Sequence, residues 1–179
     1  SGVLMLMVQS VSRALYEQGE QDPCAFLDVL NRAIYKNVER TRTGKHLSLA
    51  FLDYSDDKVT IAGQHEEVIV IRKDGTVERL DTMDLGFPIG LEENILDFLS
   101  STTLPFRPGD MIVLYTDGIT EAESEDGRLY GTEKLIESAL RAHEATATEA
   151  AAAIIADVKA HIGKQKVHDD ITLVVLKHR

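Results

Sequence analysis

Acidic residues next to two predicted strands are the residues of this sequence best suited to chemistry. Asp117 stands just after the apolar run 111–115, and Asp169 and Asp170 stand just before the apolar run 173–176. Short apolar runs that are rich in β-branched residues and bounded by turn residues are typical of buried strands. The pattern predicts two carboxylate sites, each at the end of a strand.

These carboxylates suit a divalent cation. Mg²⁺ and Mn²⁺ prefer hard oxygen ligands, commonly one or two carboxylates together with water molecules. If the two strands share a sheet, Asp117 and Asp169 can meet, although their spacing alone does not show it. The adjacent carboxylates of Asp169 and Asp170 repel each other unless a cation or solvent screens them, which favours a metal. In the alternative interpretation, Asp117 and Gly118 form an ordinary turn, and the later pair merely caps a strand.

Other reactive side chains offer weaker interpretations. His65 and His168 could act as acid or base groups near neutral pH, but we prefer to interpret both as ordinary loop histidines. No basic residues surround Cys24 in the sequence, which disfavours a cysteine nucleophile. The sequence contains no glycine-rich phosphate loop followed by Lys-Ser/Thr, and no Cys/His spacing typical of zinc. A glycosidase would need two carboxylates at a defined separation, and no such pair is evident.

Composition restricts the classes of partner. The 179 residues are 44% hydrophobic and 27% charged, as in an ordinary globular domain. The net charge of −11 disfavours general binding to nucleic acid or anionic membrane, and it repels a phosphate-bearing substrate unless a cation is present. The single cysteine excludes an internal disulfide. Together with the lack of a signal-peptide or membrane-spanning pattern, it predicts a cytoplasmic protein.

Hydrophobic periodicity predicts an α+β protein. Apolar residues recur at helical spacing in two segments near the start and in two near the end, and they follow strand patterns elsewhere. The predicted helices cover residues 3–18, 23–42 and 132–143, and a last helix starts at Thr146 or Thr148 and ends at about His161. The predicted strands cover 47–54, 59–62, 68–72, 77–80, 96–104, 111–115 and 173–176. This order of elements favours a layered domain with mostly antiparallel sheet. We predict one domain over residues 1–179.

Several short motifs, taken together and in order, resemble a known family. Residues 115–122 read YTDGITEA, and residues 168–173 read HDDITL. Residues 62–65 carry Ala-Gly followed by a histidine two positions later, and residues 87–90 read FPIG. These motifs, spread over essentially the whole chain, resemble the SpoIIE-like branch of the metal-dependent Ser/Thr protein phosphatases, the PPM family.

The resemblance implies a fold, a site and a reaction. The fold would be a two-layer antiparallel β-sandwich flanked by helix pairs, and the site would hold two Mn²⁺ or Mg²⁺ ions. Asp117 and Asp169 match metal-binding, catalytic aspartates of the family. Gly118 would shape the loop at the metal, and Asp170 takes a neighbouring position where relatives often carry asparagine. A metal-activated water would attack the phosphorus of phosphoserine or phosphothreonine in a regulatory protein such as an anti-sigma-factor antagonist.

The sequence departs from the family at its start. Family domains carry an early Gly-Asp motif and a later Asp followed by Gly-His-Gly, which supply further metal ligands, before the segment that resembles residues 1–15. Nothing in this chain matches them. We therefore expect a C-terminal fragment of a longer regulatory protein, with part of the metal site, weak or no activity, and exposed sheet edges through which it dimerises. The alternative is a non-catalytic module, derived from the phosphatase fold, that binds a regulator.

Overall fold

The computed structural model describes residues 2–42, 44–166 and 169–178, and within these ranges it has five α-helices and seven β-strands. The helices are α1 (Gly2–Glu17), α2 (Pro23–Thr41), α3 (Asp117–Thr120), α4 (Thr132–Arg141) and α5 (Ala147–Ile162). The strands are β1 (Phe51–Ser55), β2 (Lys58–Ala62), β3 (Val68–Ile71), β4 (Val77–Leu80), β5 (Ser101–Pro105), β6 (Met111–Tyr115) and β7 (Leu173–Lys177). The chain divides into two compact units, Ser1–His65 with Thr82–Pro105 and Glu66–Asp81 with Phe106–Arg179.

The first unit combines α1 and α2 with a three-stranded antiparallel sheet in the order β1-β2-β5. Helix α2 begins at Pro23, as predicted, because the carboxylate of Asp22 accepts a hydrogen bond from the Cys24 N–H (2.9 Å). Asp56 and Asp57 have positive φ angles of 50° and 56° in the two-residue turn between β1 and β2. Such angles match the right-handed twist of a tight hairpin.

Apolar side chains from both helices and the sheet form the core of the first unit, with Leu27, Leu30, Ile34, Ala62, Ile89 and Ile95 among its buried members. One amide is buried with them. Asn31 donates hydrogen bonds to the carbonyl oxygens of Glu92 (2.9 Å) and Glu93 (3.0 Å) and accepts one from the Gly90 N–H (2.8 Å). Gly90 has a φ of +86°, which glycine adopts without strain. The 87–90 motif therefore has a structural role in this unit.

The second unit is built on a four-stranded antiparallel sheet in the order β4-β3-β6-β7. Helix α5 begins with a capping box, in which the side chains of Thr146 and Glu149 each accept a hydrogen bond from the backbone N–H of the other. The core contains residues of α4, α5 and the sheet, among them Ile69, Ile71, Met111, Val113, Leu135, Ala139, Ala150, Ile154 and Val158. Strands β3 and β6 lie in the centre of the sheet, which explains their continuous apolar runs.

A buried carboxylate anchors the start of β6. Asp110 accepts hydrogen bonds from the guanidinium of Arg72 (2.8 Å) and from the backbone N–H groups of Lys73 (3.1 Å) and Arg107 (3.0 Å). Burial alone would raise the pKa of Asp110, but the hydrogen bonds and the charge of Arg72 outweigh burial and hold this pKa below its usual value. Asp110 is therefore ionised at neutral pH and stabilises the folded state.

We expect Asp110→Asn to lower the free energy of unfolding by about 2 to 3 kcal/mol at pH 7, because Arg72 loses its buried charge partner. A depressed folded-state pKa gives stability that is present above the unfolded-state pKa, near 4, and is lost as pH falls through the folded-state pKa. Urea unfolding of both proteins should therefore show a difference that shrinks as pH falls below about 4. The control Glu137→Gln removes a charge at an exposed position of α4 and should have little effect. A difference of the same size at every pH would contradict the assigned role of Asp110.

Most of the predicted elements are confirmed, but the strand predicted at 96–104 is wrong in its first half. Leu96–Phe98 form a turn of 3₁₀ helix, and β5 begins only at Ser101. Leu96 and Phe98 are more than half exposed, so they do not fill the buried face of a strand. The ring of Phe98 stacks on that of Phe87 with 5.1 Å between centroids. The strand predicted at 47–54 also starts late, because residue 47 makes only an isolated bridge before β1.

The α+β class and the antiparallel sheets are confirmed. Within the described ranges, no helix combines the length and the apolar character needed to cross a membrane. Strands β1 and β5 are the edges of one sheet, and β4 and β7 are the edges of the other. Dimerisation through such edges, and a single domain over residues 1–179, stay predictions.

Candidate metal centre

The pairing of β6 with β7 brings the two predicted carboxylate sites together within the second unit. The strands are antiparallel, and Tyr115 lies opposite Leu173. Beyond this pair, the Thr116 N–H donates a hydrogen bond to the carbonyl oxygen of Thr172 (3.1 Å). The Thr116 hydroxyl accepts a hydrogen bond from the Thr172 N–H (3.1 Å) and donates one to the carbonyl oxygen of Asp170 (3.0 Å). Thr116 therefore ties the end of one strand to the start of the other.

Gly118 lies against the same junction. A Cβ atom at this position would be 2.5 Å from the carbonyl oxygen of Asp170 and 3.6 Å from the carbonyl carbon of Asp169. Because a Cβ atom does not approach a backbone oxygen this closely, only glycine leaves room for the 169–170 segment. The backbone segments that carry the two carboxylate sites are therefore in contact, whereas the approach of the carboxylates and metal binding by them stay predictions.

The side chains of Asp117, Asp169 and Asp170 are exposed, and two of them are oriented by local hydrogen bonds. Asp117 Oδ1 accepts from the Gly118 N–H (2.8 Å), and Asp169 Oδ1 accepts from the Asp170 N–H (2.7 Å). No salt bridge joins these three carboxylates to a basic residue in the part of the chain that the structure describes. Exposed carboxylates on two adjoining segments, without a basic partner among the described residues, attract a cation.

The donor chemistry of this site fits Mg²⁺ or Mn²⁺, but the number of donors is small. Carboxylate oxygens are suitable hard ligands for both ions. Among the described residues, no group of three or more His, Cys, Asp or Glu side chains is arranged to hold a metal ion. Asp117 and Asp169, with Asp170 beside them, therefore supply part of a coordination shell. Water or further protein oxygens would have to complete it.

A pocket of about 140 Å³ opens beside these residues. Gly118 and Asp169 both line it, which places the pocket next to the candidate metal ligands. The other lining residues are either aliphatic or charged, and they are Ala122, Ile162 and Ile171 together with Glu121, Glu123 and Lys166. The pocket thus combines an aliphatic surface with groups of both charges.

The loop between α3 and α4 supplies three residues to this pocket, and hydrogen bonds hold the loop to the C-terminal part of the unit. The Lys164 N–H donates to Glu125 Oε1 (2.9 Å), and the Tyr130 hydroxyl donates to the carboxylate of Asp157 in α5 (2.6 Å). Burial and the hydrogen bond to Asp157 raise the pKa of Tyr130, so its hydroxyl keeps the proton that it donates. The loop between α3 and α4 and the C-terminal part of the unit, which both line the pocket, are therefore anchored to each other.

Among the described residues, neither of the two histidines considered from the sequence is observed at this site. His65 belongs to a loop of the first unit, where its backbone N–H donates to the Thr82 hydroxyl (2.9 Å). This placement agrees with an ordinary loop histidine. His168 lies outside the described residues.

Sequence reasoning missed three charged residues of the pocket. Glu121 and Glu123 stand in an acidic, turn-rich stretch whose composition indicates only a surface loop. Lys166 belongs to no motif and follows the end of α5. The pairing of β6 with β7 brings these residues to one pocket, and no local sequence pattern predicts that they lie together.

Comparison with known proteins places the whole sequence in one family. A family model described as Stage II sporulation protein E (SpoIIE) matches residues 1–179. The chain is 28% identical over 185 residues to phosphoserine phosphatase RsbU of Bacillus subtilis, an alignment that covers 100% of this chain and 52% of that protein. The chain therefore spans about half the length of this curated relative.

Solved structures share the fold. The SiaA-PP2C domain of Pseudomonas aeruginosa has a TM-score of 0.81 at 19% identity, over 99% of this chain and 70% of that one. The catalytic domain of the serine/threonine protein phosphatase PstP, solved in complex with 2 manganese ions, has a TM-score of 0.68 at 20% identity, over 98% of this chain and 80% of that one. The predicted PPM phosphatase fold, with helices and two antiparallel sheets, is thereby confirmed.

Proposed function

We propose that this chain, which belongs to the SpoIIE family, acts as a metal-dependent protein serine/threonine phosphatase. The observation that carries the proposal is the close contact of Gly118 with the backbone of Asp169 and Asp170, which supports a shared site for these residues and Asp117. The match of the family model over residues 1–179 supports it, as do relatives that are themselves phosphatases.

In this proposal, each residue of the site has a definite task. Asp117 and Asp169 would hold the metal, and Asp170 would add a third carboxylate beside them. When bound, a divalent cation lowers the pKa of a water ligand and offsets the charge of phosphoryl oxygens. Thr116 holds the backbone of Asp170, and Gly118 admits the 169–170 segment, so both keep the carboxylates at fixed positions. We propose Mn²⁺ or Mg²⁺, since the related PstP was solved with manganese.

We propose a phosphorylated regulatory protein as the substrate, encountered in the cytoplasm. The relative RsbU is a phosphoserine phosphatase, which supports phosphoserine as the group that is hydrolysed. An anti-sigma-factor antagonist is the regulatory protein that the family resemblance implies. Because the chain carries a net charge of −11, the phosphate would be attracted only where cations lie.

Hydrolysis of a phosphoserine peptide in the presence of Mn²⁺ tests this function. We expect release of inorganic phosphate that stops when EDTA removes the metal and returns when Mn²⁺ or Mg²⁺ is added in excess. Turnover should be slow, because the described residues supply only part of a coordination shell. A phosphotyrosine peptide of the same sequence serves as the control and should release far less phosphate. Release of phosphate that EDTA does not affect would overturn the metal-dependent function.

The small number of metal donors favours one alternative, a module that binds a phosphorylated regulator without hydrolysing it. This alternative predicts that the phosphoserine peptide binds but releases no phosphate at any Mn²⁺ concentration. The same assay therefore separates the two functions, because only the phosphatase releases phosphate in proportion to time and protein concentration.

A further inference from the structure

Lys166 carries the positive charge of the pocket beside the candidate metal centre. The described lining of the pocket includes the carboxylates of Glu121, Glu123 and Asp169, and no other basic residue. A phosphate dianion that enters a pocket with three carboxylates is repelled unless a cation compensates. The ammonium of Lys166 is the lining group that can attract it before or together with a metal.

The ammonium of Lys166 is available for such a contact. Its side chain is exposed and forms no salt bridge with the described residues. Two other lysines of the same unit are engaged by neighbouring groups. The ammonium of Lys134 contacts His161 Nδ1 (2.9 Å), and that of Lys177 donates to the carbonyl oxygen of Ala145 (2.8 Å). Lys166 is therefore distinguished from the other described lysines of the unit by its place in the pocket.

We propose that Lys166 binds the phosphoryl group of the substrate and thereby gives the pocket its specificity for phosphorylated side chains. The proposal rests on the proposed phosphatase function. An ammonium group has three N–H donors, and a phosphoryl group offers several charged acceptor oxygens. Because Gly118 and Asp169 line the same pocket, a phosphoryl group bound to Lys166 would lie beside the candidate metal ligands. The aliphatic lining would contact the methylene of the substrate serine.

Binding measured without turnover tests this inference. Inorganic phosphate and O-phosphoserine are titrated separately into the isotopically labelled protein in Mg²⁺ buffer, and the backbone amide signals of Gly118, Ala122 and Ile171 are followed by NMR. We expect saturable shifts in the wild-type protein and about fivefold to tenfold weaker binding of both ligands in Lys166→Ala, the loss of one partly exposed, charge-assisted contact. Lys166→Arg should restore most of the affinity, since it keeps the charge and the donors.

Lys159→Ala is the matched control. Lys159 is an exposed lysine of α5 that does not line the pocket, so its loss lowers the net charge equally without removing the contact. Its phosphate affinity should stay within about twofold of the wild-type value, because an exposed charge outside the pocket is screened by solvent and salt. In the hydrolysis assay, Lys166→Ala should raise the KM for the phosphoserine peptide more than it lowers kcat.

The outcomes separate this inference from the proposed function. Equal phosphate affinity in the wild-type protein and Lys166→Ala overturns the role of Lys166, even if the wild-type protein hydrolyses the peptide. Equal losses in Lys166→Ala and Lys159→Ala also overturn it, because net charge then explains the effect. An absence of phosphate binding by the wild-type protein overturns it as well. Selective loss in Lys166→Ala, in a protein that releases no phosphate from the peptide, supports the contact and counts against the phosphatase function.

Discussion

Asp117→Asn should lower Mn²⁺-dependent hydrolysis of a phosphoserine peptide by at least about 100-fold and weaken Mn²⁺ binding in calorimetry by at least tenfold. Loss of a partner that merely orients a metal ligand already costs about 10-fold to 100-fold, so loss of a ligand charge should cost no less. In the wild-type protein, Asp117 Oδ1 accepts a hydrogen bond from the Gly118 N–H (2.8 Å). The side-chain oxygen of an asparagine can accept the same hydrogen bond. The fold should therefore persist, and the change should affect only the site.

Asp53→Asn provides the control for Asp117→Asn. Asp53 is an exposed aspartate of β1 in the first unit, so its replacement removes the same charge from the protein as a whole. Both activity and Mn²⁺ affinity should match the wild-type protein. If Asp117→Asn binds Mn²⁺ as tightly as the wild-type protein, Asp117 is not a ligand, and the proposed metal centre is wrong.

Gly118→Ala should weaken Mn²⁺ binding at least about tenfold while all three carboxylates remain. The added Cβ would lie 2.5 Å from the carbonyl oxygen of Asp170, so the 169–170 segment must move away. Overpacking of this kind costs about 1 to 3 kcal/mol of stability, and the displaced carboxylates no longer hold the geometry that a metal requires. Calorimetric titration with Mn²⁺, together with urea unfolding, measures the two effects separately.

Gly2→Ala is the comparison for Gly118→Ala, because a Cβ at Gly2 meets no atom within 4 Å. Neither residue has a positive φ, so the two substitutions differ in steric surroundings rather than in backbone preference. Gly2→Ala should leave metal affinity unchanged. Wild-type affinity in Gly118→Ala would show that the segment 169–170 can shift without consequence, and the role assigned to the close contact would be wrong.

Local sequence signals were sufficient for most of the elements. Strand β6 has the predicted bounds, because a five-residue apolar run with β-branched and aromatic residues, bounded by turn residues, is too short for a typical core helix. Helix α5 was predicted to start at Thr146 or Thr148, and the capping box of Thr146 and Glu149 shows that Thr146 is its N-cap. These predictions succeeded because the determining interactions lie within a few residues of each other.

The predictions were wrong or incomplete where the determining interactions join residues that are distant in sequence. Residues 96–98 have the hydrophobicity of a strand, yet they form a 3₁₀ turn in which Phe98 stacks on the sequence-distant Phe87. The sequence predicted Asp117 and Asp169 at strand ends, but only the pairing of β6 with β7 shows that these strand ends are neighbours. Lys166 carries no local signal at all, because its neighbours in the pocket come from other segments.

The pairing of β6 with β7 also sets the order in which the site is completed during synthesis. Asp117 leaves the ribosome roughly 50 residues ahead of Asp169, and at about 5 to 20 residues per second this delay lasts a few seconds. During that interval the nascent chain contains Gly118 but lacks the backbone of residues 169–170 that packs against it. The two segments can be brought together only after β7 has been made, so the unfinished protein does not present its candidate metal ligands as a set.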